Sequence, residues 1–341
     1  MLTEATCISP EAHGYPDTPG IYTEAQIAAW KPVIKAVHDK GARFYCQLWH
    51  VGRASHQEYQ PDGAAPMAPS AIPIRSVDKV YISTGAADYP IPRAMTAEDI
   101  NKVTEQFRVA ARNAIDAGFD GVEVHGANGY LLEQFIKDGS NKREDEFGGS
   151  LENRLRFPLQ VIKAVADEVG ASRVGVRLSP YSTFLDETDS DPVGTYVGMV
   201  ERLNGMGLAY VHFIEARVRG NDDMEVEKEA VWLGVVHFIK ARVRGNGGMD
   251  TEETLEPFRK AFKGPFIAAG GFKRESGMAA IESGVADLIT YGRLFLANPD
   301  LPRRFELNAP LNPYDRSTFF IPDQVKGYID YPFLDEAKKA E

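Results

Sequence analysis

The sequence predicts an α/β protein, a single TIM (β/α)8 barrel built from 341 residues, and three observations carry that prediction. The first is a unit read six times along the chain, in which an amphipathic segment ends in Gly and a short β-rich run follows: HDKGARFYCQLWH (38–50), IDAGFDGVEVHG (115–126), DEVGASRVGVRLSP (167–180), NGMGLAYVHFIEA (204–216), AFKGPFIAAGGF (261–272) and IESGVADLITYGRLF (281–295). Glycine relieves the left-handed strain of a helix C-cap, and near-continuous apolar runs suit parallel strands buried on both faces. The second is that no linker rich in Gly, Ser or Pro separates early units from late ones. One barrel of ~250 residues plus insertions therefore fits better than two domains of ~150. The third is that no Gly-x-Gly-x-x-Gly opens a helix after a strand, which removes the main support for an open, doubly wound sheet.

The elements follow in order. Residues 1–8, MLTEATCI, read as the end of a strand, and counting from it makes this the second strand of the repeat series, so that the first strand and helix of the barrel are expected to be missing. Thr23 with Gln26 forms a capping-box pattern, followed at helical spacing by Ile27, Trp30, Ile34 and Val37; Thr96 with Asp99 does the same ahead of Ile100, Val103, Phe107, Ala110 and Ala114. These are outer helices with one apolar face. After the third strand, QLWH, residues 57–95 form one long loop carrying Pro61, Pro66, Pro69, Pro73, Pro90 and Pro92, and loops of that length are usually functional.

One irregularity is internal. VHFIEARVRGNDDM (211–224) recurs 25 residues later as VHFIKARVRGNGGM (236–249), differing only at Glu215/Lys240, Asp222/Gly247 and Asp223/Gly248. A match this close is a recent tandem duplication of the sixth strand. Two copies cannot share one place in a closed barrel. The segment 222–235 is just long enough for the crossover that a second parallel strand would need, but we expect 222–249 to hang out as an insert, with the charged MEVEKEA stretch making a helical turn. Residues 306–341 read as a C-terminal tail of the same single domain, 1–341.

Composition excludes several classes. The chain is 43% hydrophobic and 26% charged, with two cysteines, Cys7 and Cys46, too few for a disulfide framework and without zinc-site spacing. Its formal charge of −11 argues against nucleic acid or anionic lipid as a partner. No apolar stretch is long enough to span a membrane, and no basic-then-apolar leader is present. A cytoplasmic monomer or weak dimer acting on small molecules is the expectation.

In a barrel, chemistry sits at the C-terminal ends of strands. Here those ends carry Gln47, His50 and Arg53; His125, Asn128 and Tyr130; Arg177; Arg217; Gly270 and Gly271; and Gly292 with Arg293. Glycines at the last two strand ends, with an Arg beside the second, match the phosphate site that barrels build there from exposed backbone N–H groups. The same glycines also fit plain tight turns. A positive side chain, a Gln, a His, an Asn and a Tyr converging on one rim is more than a scaffold needs.

HGANGYLLEQFIKDGSNKREDEFGGSLENRLRF (125–157) resembles the signature of the old yellow enzyme family of flavin mononucleotide (FMN) reductases. QLWHVGRASH (47–56), FIAAGGF (266–272), YGRLFLANPDLPRRF (291–305) and GYIDYPFL (327–334) are similar to its plant 12-oxophytodienoate reductase branch, and the similarity covers nearly the whole chain outside the duplicated insert. The resemblance implies a TIM barrel holding FMN, with NADPH as reductant and an α,β-unsaturated carbonyl as substrate, handled by ping-pong hydride transfer as in oxylipin biosynthesis. It places Ala5 and Gln47 against the flavin ring, Arg177 beside the N1 and C2 carbonyl edge, and Gly271, Gly292 and Arg293 on the phosphate. It gives His125 and Asn128 the substrate carbonyl, Tyr130 the proton donation, and Arg217 a place at the substrate mouth, for which the duplication offers Arg242 as a competitor. The ending AKKAE lacks a Ser-Lys-Leu-like peroxisomal signal, which points to the cytosolic group of the branch. The expected loss of the first strand gives one alternative: a truncated, inactive relative unable to hold FMN.

Overall fold

Seven strands run parallel and each pairs with the next in sequence: β1 (Leu2–Cys7), β2 (Tyr45–Trp49), β3 (Gly121–Gly126), β4 (Val174–Leu178), β5 (Tyr210–Ile214), β6 (Phe266–Ala269) and β7 (Leu288–Thr290). The computed structural model describes residues 1–76, 79–216, 253–319, 323 and 325–337, together with four two-residue strands between 217 and 252. All six predicted Gly-then-strand units deliver a strand of this sheet. Among the described residues, β1 and β7 each pair on one side only, so the strands form an open parallel sheet rather than a closed ring of eight.

The helices cover the outer face. The helices α1 (Glu24–His38) and α2 (Ala97–Ala117) begin at the expected capping boxes, with Thr23 Oγ1 accepting from the Gln26 N–H and Thr96 Oγ1 from the Asp99 N–H. The second of these helices stops at Gly118, whose φ of 111° only glycine adopts at low cost. Its buried face includes Ile100, Val103, Phe107, Ala110 and Ala114, as the periodicity requires. Next come α3 (Leu131–Ile136), α4 (Leu151–Val169) and α5 (Pro192–Leu203), and then the shorter α6 (Glu256–Ala261), α7 (Arg274–Glu282), α8 (Arg293–Ala297) and α9 (Leu301–Glu306).

The inner face follows from strand alternation. Gln47, Glu123, Gly175 and Tyr210 lie in register across four strands, and His125, Arg177 and His212 form the next inward row. At the N-terminal end, Tyr45 and Tyr210 fill the interior, and glycine is required beside them. A Cβ on Gly175 would come within 2.2 Å of the Tyr210 ring, and one on Gly121 within 2.4 Å of Tyr45.

The duplicated segment contributes its first copy to the sheet: Tyr210–Ile214 sits between β4 and β6. Residues 236–241 of the second copy lie outside the described residues. The expected helical turn in MEVEKEA is corrected in part, because Val226–Glu227 pairs antiparallel with Arg242–Val243, which satisfies those backbone groups across the insert. The loop 57–95 is tied to the body. Met67–Ala68 pairs with Arg93–Ala94, Val80–Ile82 forms a hairpin with Gly85–Ala87, and the buried Arg53 bonds the Ile72 carbonyl at 3.1 Å.

Candidate active site

His125 ends β3, and its surroundings fix its state. Nδ1 accepts from the Ala127 N–H at 3.3 Å, so in the neutral ring the proton is on Nε2. Burial, assisted by the nearby Arg177 charge, pushes the imidazole down to about 3. At neutral pH His125 is therefore an uncharged N–H donor.

Tyr130 is the N-cap of α3, and its side chain makes no capping bond, which leaves the phenol for other work. The ring stands edge-on between Trp49, 5.0 Å away by centroid, and His125 at 5.3 Å. Its hydroxyl is hydrogen-bonded to that of Tyr15 at 3.2 Å, and Tyr15 stacks on Trp49 at 5.7 Å. Burial raises the Tyr130 phenol above its usual range, so it keeps its proton. Tyr15 and Trp49 are parts of this wall that the sequence reading missed.

Asn128 sits between the two with φ of 57°, and the following Gly129 has φ of 78°. This left-handed turn is held from behind. The Asn128 N–H donates to Ser179 Oγ at 2.8 Å and the Gly129 N–H to Glu133 Oε2 at 2.6 Å, while Glu133 Oε1 accepts from Ser179 at 2.5 Å and from the Tyr196 hydroxyl at 2.7 Å. Lys137 Nζ lies 3.4 Å from the same carboxylate and donates to the Ser179 and Ser182 carbonyls. All of these are interior groups with partners, as buried polar atoms require.

Deeper on the inner face lies a second group. Gln47 Nε2 donates to Glu123 Oε1 at 2.6 Å, and His212 Nδ1 meets Glu123 Oε2 at 2.9 Å. Burial pushes the Glu123 carboxyl up, but His212, Arg177 and the Gln47 amide outweigh it and hold it at about 2. Arg177 Nε and His212 Nε2 are buried without a hydrogen-bond partner, and burial lowers the Arg177 guanidinium from its usual range despite Glu123. An unsatisfied cation, which needs an acceptor, and a spare ring nitrogen on the same wall call for polar partners from outside the protein. Ala5 is beside Gln47 in the β1–β2 register.

The other end of the rim is made of backbone. Gly270 and Gly271 follow β6 with φ of 121° and 60°, values that side chains rarely allow. Gly292 precedes α8, and a Cβ there would meet nothing within 4 Å, so protein packing does not demand glycine at that point. Arg293 lies over the Tyr314 ring at 5.3 Å. One rim candidate is corrected. Arg53 is buried and ion-paired to Glu187 at 2.6 Å, with a further bond to the Leu185 carbonyl, so it clamps loops together. His50 Nδ1 accepts from the Gly52 N–H at 3.1 Å, as His125 Nδ1 does from Ala127, and its Nε2 is buried without a hydrogen-bond partner. Arg217 lies outside the described residues, and Arg242 is described by its backbone alone. Among the described residues there is no metal-binding cluster, and no helix is long and apolar enough to cross a membrane.

The family model described as NADH:flavin oxidoreductase / NADH oxidase matches residues 1–233 and 229–312, in two segments that meet within the duplicated region. Among curated proteins, the chain is 53% identical over 337 residues to 12-oxophytodienoate reductase 1 of Oryza sativa subsp. japonica, covering 98% of this chain and 81% of that protein. Among solved structures, morphinone reductase matches with a TM-score of 0.85 at 42% identity, over 98% of this chain and 84% of its own. The old yellow enzyme homologue from Zymomonas mobilis matches with a TM-score of 0.84 at 37% identity, over 98% and 86%.

Proposed function

Because the chain belongs to the NADH:flavin oxidoreductase / NADH oxidase family, we propose that it is an FMN-dependent reductase of the C=C bond of α,β-unsaturated carbonyls resembling 12-oxophytodienoate, with NADPH as its reductant. The observation that carries this reading is the pairing at the end of β3 of a neutral imidazole donor with a phenol kept protonated, 5.3 Å apart by ring centroid. Enone reduction needs those two groups together. The residues also fit the cofactor. The orphaned Arg177 Nε and the glycine turn after β6 supply a cationic edge and a backbone cradle, the donor set that a carbonyl-rich ring with a phosphate tail requires. Gln47, Ala5 and Arg177 would hold the ring, and Gly271, Gly292 and Arg293 the phosphate.

When bound, FMN would supply the hydride that it takes from the nicotinamide. The remaining work falls to the chain. His125 Nε2–H and the Asn128 side chain would donate to the substrate carbonyl oxygen, where negative charge grows as the β-carbon is reduced, and two preorganised donors stabilise it as an oxyanion hole does. Tyr130 would deliver its proton to the α-carbon, general-acid work suited to a phenol facing an enolate. Trp49 and Tyr15, packed against the Tyr130 ring, would wall the substrate site. The nicotinamide and the enone would occupy the same space in turn, which gives ping-pong kinetics. The visible spectrum of the desalted protein tests the reading. A flavin band that bleaches with anaerobic NADPH and returns with an enone supports it, whereas no band after incubation with FMN favours the inactive relative.

A further inference from the structure

Glu123 is a charged residue in the middle of a strand whose every residue is buried, and nothing in the chemistry above employs it. Its two oxygens are both engaged, Oε1 by Gln47 Nε2 at 2.6 Å and Oε2 by His212 Nδ1 at 2.9 Å. The three residues come from β2, β3 and β5, and their side chains meet on the inner face of the sheet. Gly175, directly in register with Glu123 on the next strand, leaves room for the Tyr210 ring, whose phenol interacts with the same carboxylate.

An ionised carboxylate only accepts. The Gln47 atom that faces Glu123 must then be its NH2 group, and the carbonyl Oε1 is turned the other way. That oxygen makes no hydrogen bond to any described residue. The main chain of Gln47 is fixed as well, its N–H donating to Thr3 Oγ1 at 2.9 Å. An amide with no such neighbour presents either face with little preference, since its oxygen and nitrogen have nearly the same shape.

We propose that Glu123 is a positioning residue that fixes the Gln47 amide with its acceptor oxygen toward the cavity, so that the chain selects a cofactor ring edge bearing an N–H donor. His212 and Arg177 serve this arrangement by keeping Glu123 ionised. The proposal rests on the flavin reading. Oxidised FMN has one ring N–H, at N3, and methylating it removes the donor without changing the phosphate tail.

The test is a fluorescence titration of the flavin-stripped full chain with FMN and with N3-methyl-FMN, for the wild type, Glu123→Gln and Gln47→Leu. The wild type should prefer FMN by about tenfold, the value of one hydrogen bond to a buried acceptor. Gln47→Leu should bring the ratio close to one, and Glu123→Gln should reduce it to within about threefold, because an amide neighbour accepts either orientation of Gln47. A wild-type ratio retained by Glu123→Gln overturns the proposal, as does a wild type that binds both flavins equally. Binding of neither flavin overturns the cofactor reading itself and takes this proposal with it. Where Glu123→Gln fails to fold, side-chain 15N resonances of the wild-type apoprotein decide. The Gln47 NH2 protons should be protected from exchange with one shifted downfield; protons exchanging like those of a solvent-exposed amide would overturn the assignment.

Discussion

The two ends of the rim are built in opposite ways. At the end of β3 every residue of the strand and of α3 is buried, and the turn between them is held through Ser179, Glu133, Tyr196 and Lys137. At the ends of β6 and β7 the site is backbone turned outward: Gly271 and Gly292 are exposed, and Leu288 on β7 is 57% exposed. Groups that must be placed to within a fraction of an ångström for proton transfer sit where the fold is most over-determined. A phosphate needs only convergent N–H groups and a cation, and under the proposed function a looser rim would supply them. Substitutions at the first end should therefore damage turnover or folding, and at the second end should weaken binding alone.

The largest effect expected is at Tyr130. Tyr130→Phe keeps the ring between Trp49 and His125 but removes the proton and the bond to Tyr15. Flavin reoxidation by enone should slow by roughly 10²–10⁴-fold, the usual contribution of a general acid, while flavin reduction by NADPH stays within about twofold. Stopped-flow measurement of the two half-reactions separates these, and equal slowing of both would remove the distinct role of the phenol.

Glu133→Ala comes next, and it acts on the fold. It strands the Gly129 N–H, the Ser179 and Tyr196 hydroxyls and the buried Lys137 ammonium. Removing one partner of a buried charged pair costs about 3–5 kcal/mol, to be read as a lowered urea midpoint. A variant as stable as the wild type would show that the turn is not braced as its hydrogen bonds indicate. Arg293→Ala should do the reverse, raising the FMN dissociation constant about 10–100-fold, in line with roughly 1.5–3 kcal/mol for a hydrogen bond to a charged group, with little change in the urea midpoint of the flavin-free chain.

Legibility in the sequence followed the same division. Apolar runs after glycines marked all six later strands, because burial on both faces leaves a pattern that one segment carries by itself. His125, Asn128, Tyr130 and the rim glycines were legible as candidates because they sit at strand ends or in a continuous signature. Tyr15 and Trp49 were not, since their wall with Tyr130 joins residues more than 80 positions apart and no periodicity announces a tertiary contact. Arg53 misled for a related reason: its position after a strand looked like rim, and its partner Glu187 is 134 residues away. A signal was available for Glu123. A carboxylate inside the apolar V-E-V of a doubly buried strand must have partners, and asking which residues could serve leads to Gln47 and His212.

The smallest effect expected is an absence of change, and it separates the two roles of burial at His125. Free imidazole gains a proton near 6.5, whereas burial holds His125 down at about 3. In the unfolded chain protonation begins as pH falls through 6.5, and in the native protein it does not. The fold therefore loses stability progressively from about pH 6.5 toward 3, with full stability above that window. Glu123, held at about 2 against an ordinary 4.5, adds loss in the same direction below pH 4.5. Within the folded population the donor at Nε2 is unaltered, and the Tyr130 proton is retained because its phenol is raised. Enone-driven reoxidation measured at low temperature should therefore be flat between about pH 5 and 9, while thermal unfolding midpoints fall across the acid half of that range. An inflection in the rate near pH 6.5 would mean that His125 titrates as a solvated imidazole, and the contrast between a buried chemical end and an open binding end of the rim would collapse.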